Sequence, residues 1–117
     1  MSKILIVDDA AVDRRHLASI LAAAGHLVLL AESGEQALVR ARRERPDAIL
    51  MDVNMPELDG FATTRRLKAD ANTRDIPIVF VTGKNHKADI SWGRMLGAKG
   101  YVTKPYSTEQ ILAELED

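Results

Sequence analysis

Short unbroken apolar runs alternate with longer amphipathic stretches along this chain of 117 residues. Ala48-Ile49-Leu50-Met51 leads straight into Asp52, and Val53-Asn54-Met55-Pro56 follows. A short apolar run bounded by turn residues predicts a strand buried on both faces, the kind found in parallel sheets. Pro56 cannot continue a ladder, so this strand should stop near Asp52. Ile4-Leu5-Ile6-Val7 has the same form and ends in Asp8-Asp9. Leu27 to Ala31 reads as another strand, and Ile78-Val79-Phe80-Val81, after Pro77, ends in Thr82-Gly83. Gly100-Tyr101-Val102-Thr103 is a brief last strand, ending in Lys104-Pro105.

The stretches between have helical spacing. Over Asp13 to Ala24, Leu17, Ile20, Leu21 and Ala24 recur every three or four residues, and Gly25 is the expected stop. Ser33-Gly34-Glu35-Gln36 has the form of a capping box opening a helix through about Arg45. Arg40, Arg42, Arg43 and Arg45 near its end read as a solvated face complementing the helix dipole. Residues 54–60 form a loop by their turn residues. Phe61 to Ala71 predicts a third helix with Leu67 and Ala71 inward, followed by a polar linker, Asn72-Thr73-Arg74-Asp75. His86 to Leu96 predicts a fourth helix, closed by Gly97, with Trp92 open between core and surface. Ser107-Thr108-Glu109-Gln110 is a second capping box, opening a last helix through Leu115. His16, His26 and His86 are expected at the surface.

Such alternation predicts an α/β fold: one flavodoxin-like, doubly wound parallel sheet of five strands with five helices, occupying residues 1–117 as a single domain. Five strands suit the order 2-1-3-4-5. In that order strands one and three adjoin at the switch point, so Asp8, Asp9 and Asp52 meet in one crevice. Thr82 and Lys104 arrive at the same edge.

Composition narrows the chemistry. Hydrophobic residues make up 46% and charged residues 28%, the balance of a globular chain. A net charge of −1 argues against direct nucleic-acid binding. The absence of cysteine excludes disulfides and thiolate chemistry. No apolar run approaches the roughly 18 residues of a membrane span, and the expected location is the cytoplasm.

Adjacent acids at a strand end repel, at roughly 4 kcal/mol for 4 Å and an effective dielectric near 20, unless a cation joins them. Singly, each group has a plain alternative. Asp8-Asp9 could simply start a helix, Thr82 end a strand and Lys104 occupy a turn. Their convergence on one edge points to phosphoryl transfer. Carboxylates suit Mg²⁺, one carboxylate can be the nucleophile, and lysine and threonine can hold phosphoryl oxygens.

Asp8-Asp9, the run Met51 to Gly60, Thr82-Gly83 and Tyr101-Val102-Thr103-Lys104-Pro105 together resemble the response-regulator receiver domains of two-component signalling, of the CheY type. The likeness spans essentially the whole chain. It implies that Asp52 accepts a phosphoryl group from a histidine kinase or phosphotransfer protein. It implies Mg²⁺ bound by Asp9, Asp52 and the backbone carbonyl of Asn54, with Asp8 acting through metal-bound water. Thr82 and Lys104 would grip the phosphoryl oxygens, and the Lys104-Pro105 bond would be cis. Tyr101 resembles the switch aromatic: Thr82 would shift toward the phosphate, and Tyr101 would fill the space left between the fourth and fifth strands. An output protein would then bind the face made by the fourth helix, fifth strand and fifth helix. Lys99-Gly100 stands where dimerising transcription-type receivers often carry Asp-Asp, and the last helix has no arginine, so a monomer is expected. Ser91-Trp92-Gly93-Arg94 with Gly97-Ala98-Lys99 resembles the stand-alone receivers of type IV pilus twitching motility. The short last helix also fits a domain cut from a longer regulator or hybrid kinase.

The alternative of another class is a phosphatase or phosphotransferase with an aspartyl nucleophile. Such enzymes usually place a second acid two residues after the nucleophile, and here Asn54 stands there, unable to protonate a leaving group. A nucleotide-binding domain would need a glycine-rich turn after the first strand, which Asp8-Asp9-Ala10-Ala11 is not.

Overall fold

The computed structural model describes residues 1–116. Strands β1 (Lys3–Val7), β2 (Leu27–Ala31), β3 (Ala48–Met51), β4 (Ile78–Thr82) and β5 (Gly100–Thr103) alternate with helices α1 (Ala11–Ala23), α2 (Gly34–Glu44), α3 (Gly60–Ala69), α4 (Lys87–Met95) and α5 (Thr108–Glu114). All pairings are parallel and the strand order is β2-β1-β3-β4-β5, as the alternation predicts.

Side chains alternate across a strand, and this splits the core in two. Leu5, Val7, Ile49, Met51, Ile78 and Phe80 face Ala37 and Ala41 of α2 and Leu67 of α3. Ile4, Ile6, Leu50, Val79, Val81 and Val102 face Leu17, Ile20 and Leu21 of α1 and Ile111 of α5. β3 and β4 are buried at every position, which is why their sequences run apolar without alternation. Burying one such side chain contributes about 1.5–3 kcal/mol.

Register sets where the site forms. Ile4 pairs Ala48 and Val7 pairs Met51, so β1 and β3 end at one level. The Asp52 amide donates to the Val7 carbonyl at 2.9 Å, and the Asp8 amide to Ala31 at 3.2 Å. The last ladder bonds thus carry both acids to the edge.

Local differences from the sequence reading have visible causes. α3 stops at Ala69 rather than Ala71, and Ala71 is exposed, not inward. Thr73, read as polar linker, is 2% exposed, and its hydroxyl donates to the Leu67 carbonyl at 2.7 Å. That bond satisfies a carbonyl of the helix end and turns the chain away. The box opening α2 is half made. Ser33 Oγ accepts from the Gln36 amide at 3.1 Å, but the Gln36 side chain accepts from Glu32, one residue upstream of the cap. At α5 both halves form between Ser107 and Gln110. Trp92 is exposed, with the Arg65 guanidinium 5.5 Å from its ring centroid. His16 and His86 are exposed as expected, but His26 is half-buried and accepts from the Ser2 amide.

Candidate functional site

Asp52 follows β3 directly and stands at the mouth of the switch point between β1 and β3. Its Oδ1 accepts from its neighbour Val53 N at 2.7 Å and from Asn54 N at 3.3 Å. The loop beyond is pinned by buried Val53, Met55 and Leu58 and by the Gly60 amide, which donates to Val53 at 2.9 Å. A Cβ at Gly60 would stand 2.0 Å from the Asp52 carbonyl oxygen, so only glycine lets α3 begin this close to the site.

Asp8, Asp9 and Asp52 offer one carboxylate oxygen each within 4.8 Å of one another. Asp8 and Asp52 are buried and Asp9 is exposed. Asp8 is oriented through the Ala10 amide, which donates to Oδ1 at 2.9 Å, while Arg14 donates to its backbone carbonyl. Burial, with the charge of Asp52 added, pushes the Asp8 carboxyl above its ordinary range, against the opposing bonds from Ala10 and Lys104. Three hard oxygen donors gathered without a full complement of positive charge fit a small divalent cation such as Mg²⁺.

Lys104 comes from the far end of the chain, just after β5, and its peptide bond to Pro105 is cis. Its ammonium donates to Asp8 Oδ2 at 2.9 Å, Asp13 Oδ2 at 3.0 Å and Asp52 Oδ2 at 3.1 Å. All of an ammonium's donors are thereby engaged. Burial alone would lower the Lys104 pKa, but the bonds to Asp8 and Asp13 and the charge of Asp52 hold it well above the usual lysine value. Asp13 was not singled out by the sequence reading, which treated it as a helix boundary. The signal present was its place in the first turn of α1, just after the acid pair.

Thr82, fully buried, ends β4 beside Thr103 of β5. Its hydroxyl accepts from the Lys84 amide at 3.3 Å. Tyr101 reaches the same loop from β5, donating its hydroxyl to the Lys84 carbonyl at 2.6 Å. The Tyr101 ring is half-buried and packs on Phe80, centroids 5.7 Å apart. Burial, then the charges of Asp89 and Asp52, push its phenol up to about 12. The structure therefore brings together the acids and Lys104. It ties Thr82 and Tyr101 to each other through Lys84. It also packs the half-buried Tyr101 ring on Phe80.

Fold and site define a class: flavodoxin-like α/β proteins with an acid cluster at the β1/β3 switch point and a lysine brought to it from β5. The chain belongs to the response regulator receiver domain family, which it matches over residues 4–116, and so to the switches of two-component signalling. It is 46% identical over 112 residues to Protein PilH of Pseudomonas aeruginosa, covering 96% of this chain and 93% of that protein. The chemotaxis protein CheY4 of Vibrio cholerae superposes with a TM-score of 0.92 at 33% identity, covering 98% of this chain and 96% of that one. The receiver domain of the sensor histidine kinase PA1611 of Pseudomonas aeruginosa, a structure with a magnesium ion coordinated in its active-site cleft, superposes at 0.89 with 34% identity, covering 97% and 93%. The chain spans less than half the length of several other curated relatives. Among the described residues no helix is long and apolar enough to cross a membrane.

Proposed function

We propose that Asp52 is the phospho-acceptor of a signalling switch. The observation that carries this reading is the Lys104 ammonium 3.1 Å from Asp52 Oδ2, beside acid oxygens clustered within 4.8 Å. An oxygen of Asp52 attacks phosphorus on a phosphohistidine of a kinase or phosphotransfer protein. The new P–O bond forms as the P–N bond breaks, and its electron pair leaves with the imidazole, which takes up a proton. Asp9, Asp52 and the Asn54 carbonyl would hold Mg²⁺ directly, and Asp8 through water; the ion supplies charge neutralisation for the transferred group. Lys104 and Thr82 bind the phosphoryl oxygens. Asn54 stands where an aspartyl-nucleophile phosphatase usually carries its second acid, which supports the switch reading over that alternative.

A phosphoryl group adds charge and three acceptor oxygens beside Asp52. The Thr82 hydroxyl turns toward them and gives up its bond from the Lys84 amide. Tyr101 holds the Lys84 carbonyl, so the rearranged loop changes the face of α4, β5 and α5, where an output protein binds. The likeness to twitching-motility receivers is supported by the identity with PilH and favours that setting for the switch. The test is incubation with acetyl phosphate and Mg²⁺ followed by mass spectrometry. One phosphoryl group on Asp52 is expected. An adduct retained at another residue in Asp52→Asn would refute the assignment.

A further inference from the structure

We infer that Asp13 is a positioning residue that holds the Lys104 ammonium in place when a divalent cation occupies the acid cluster. The inference rests on the cation site proposed above. Lys104 has three carboxylate partners at 2.9 to 3.1 Å, and two of them, Asp8 and Asp52, belong to the cation cluster. Asp13 is the partner outside it. With the cation bound, Asp8 and Asp52 are shared between two positive centres, and the ammonium's hold on them weakens. Asp13 then remains as counter-charge on the α1 side. It keeps the ammonium beside Asp52, and it lowers the cost of adding positive charge next to Lys104.

Asp13 is built for this part. It sits in the first turn of α1, where the helix N-terminus favours an acid. Its side chain is 45% exposed, while that of Lys104 is 20% exposed, so the pair bridges solvent and site. The helix is pinned next to the cluster by Arg14, which donates to the Asp8 carbonyl at 2.8 Å. Asp13 touches no group transferred in the reaction; it acts through Lys104.

A double-mutant cycle on Mg²⁺ affinity tests this, read by calorimetry on the full chain. Asp13→Asn is expected to weaken Mg²⁺ binding about three- to tenfold, less than the 10–100-fold typical of groups touching a ligand. Asp13→Glu should stay within about twofold of wild type, and in a Lys104→Met background Asp13→Asn should change affinity by under about twofold. Equal weakening in both backgrounds would mean an undirected charge effect and overturn the inference, as would no weakening in either. A second readout needs no Lys104 variant. The Lys104 ammonium signal in nitrogen NMR should persist through a Mg²⁺ titration in wild type and broaden by solvent exchange in Asp13→Asn; identical behaviour overturns the inference. Wild type that binds no Mg²⁺ at all overturns this inference together with the reading beneath it. Wild type that binds while Asp13→Asn is silent overturns this inference alone.

Discussion

At the scale of single residues, the site is a place where folding is opposed. The Asp8 carboxyl, ordinarily near 3.8, is raised in the folded chain, mainly by burial. Its charged form is therefore less favourable folded than unfolded. The opposition is complete above the folded value and relieved as pH falls through it. Asp8→Asn should accordingly raise the melting temperature at neutral pH without Mg²⁺; an unchanged or lowered value would refute this. Lys104 works in the opposite sense. Its raised pKa contributes stability that is present below its ordinary 10.5 and lost as pH rises through the folded value. Lys104→Met strands buried carboxylates and should cost about 2 kcal/mol in a urea melt without Mg²⁺, with part regained on adding Mg²⁺. Tyr101 gives a spectroscopic check. In a Tyr106→Phe background, phenolate absorbance should reach its half-point near pH 12 rather than near 10. Stability from the protonated phenol is present below its ordinary 10.0 and lost as pH climbs toward 12. A phenol titrating near 10 would show a solvated ring, free of its bond to Lys84.

At the scale of elements, strands were the most legible part of the sequence. Continuous apolar runs such as Ile78 to Val81, short and bounded by turn residues, suit a strand in a sheet covered on both faces. Helix ends were less legible, because tertiary bonds decide them. Nothing local in Asn72-Thr73-Arg74-Asp75 announces that Thr73 is buried and ends α3 through the Leu67 carbonyl. The two capping boxes look alike in sequence, yet only the one at Ser107 closes both ways. Ser107→Ala should therefore cost about 1 kcal/mol, read as a lowered denaturation midpoint, since α5 has seven residues and little propensity of its own to spare. Gly60 ties element to site more tightly. The added Cβ of Gly60→Ala meets the Asp52 carbonyl at 2.0 Å, so the backbone at Asp52 must move. A displacement near 1 Å should slow phosphorylation by acetyl phosphate about 100-fold, more than it lowers stability. A rate within a few-fold of wild type would show that the loop absorbs the methyl group.

At the scale of the whole molecule, five alternations leave two common strand orders, of which 2-1-3-4-5 suits five strands, and the observed order brings Asp8, Asp9 and Asp52 together. Lys104 and Thr82 could be placed at the edge from strand ends, but the sharing of one ammonium among Asp8, Asp13 and Asp52 could not, since it depends on how side chains far apart in sequence meet in space. Light scattering with and without beryllofluoride and Mg²⁺ should show a monomer in both states. A dimer formed only with the mimic would instead match a piece of a transcription factor. The bond between Asp8 and Lys104 also spans 96 residues of sequence. A chain leaving the ribosome makes its acids at the start and their lysine near the end, and domains fold as their last strands become available. On the proposed reading, a chain made only as far as β4 holds Asp52 without the lysine that stands beside it. The assembled site therefore exists only once both ends of that 96-residue span have been made and brought together.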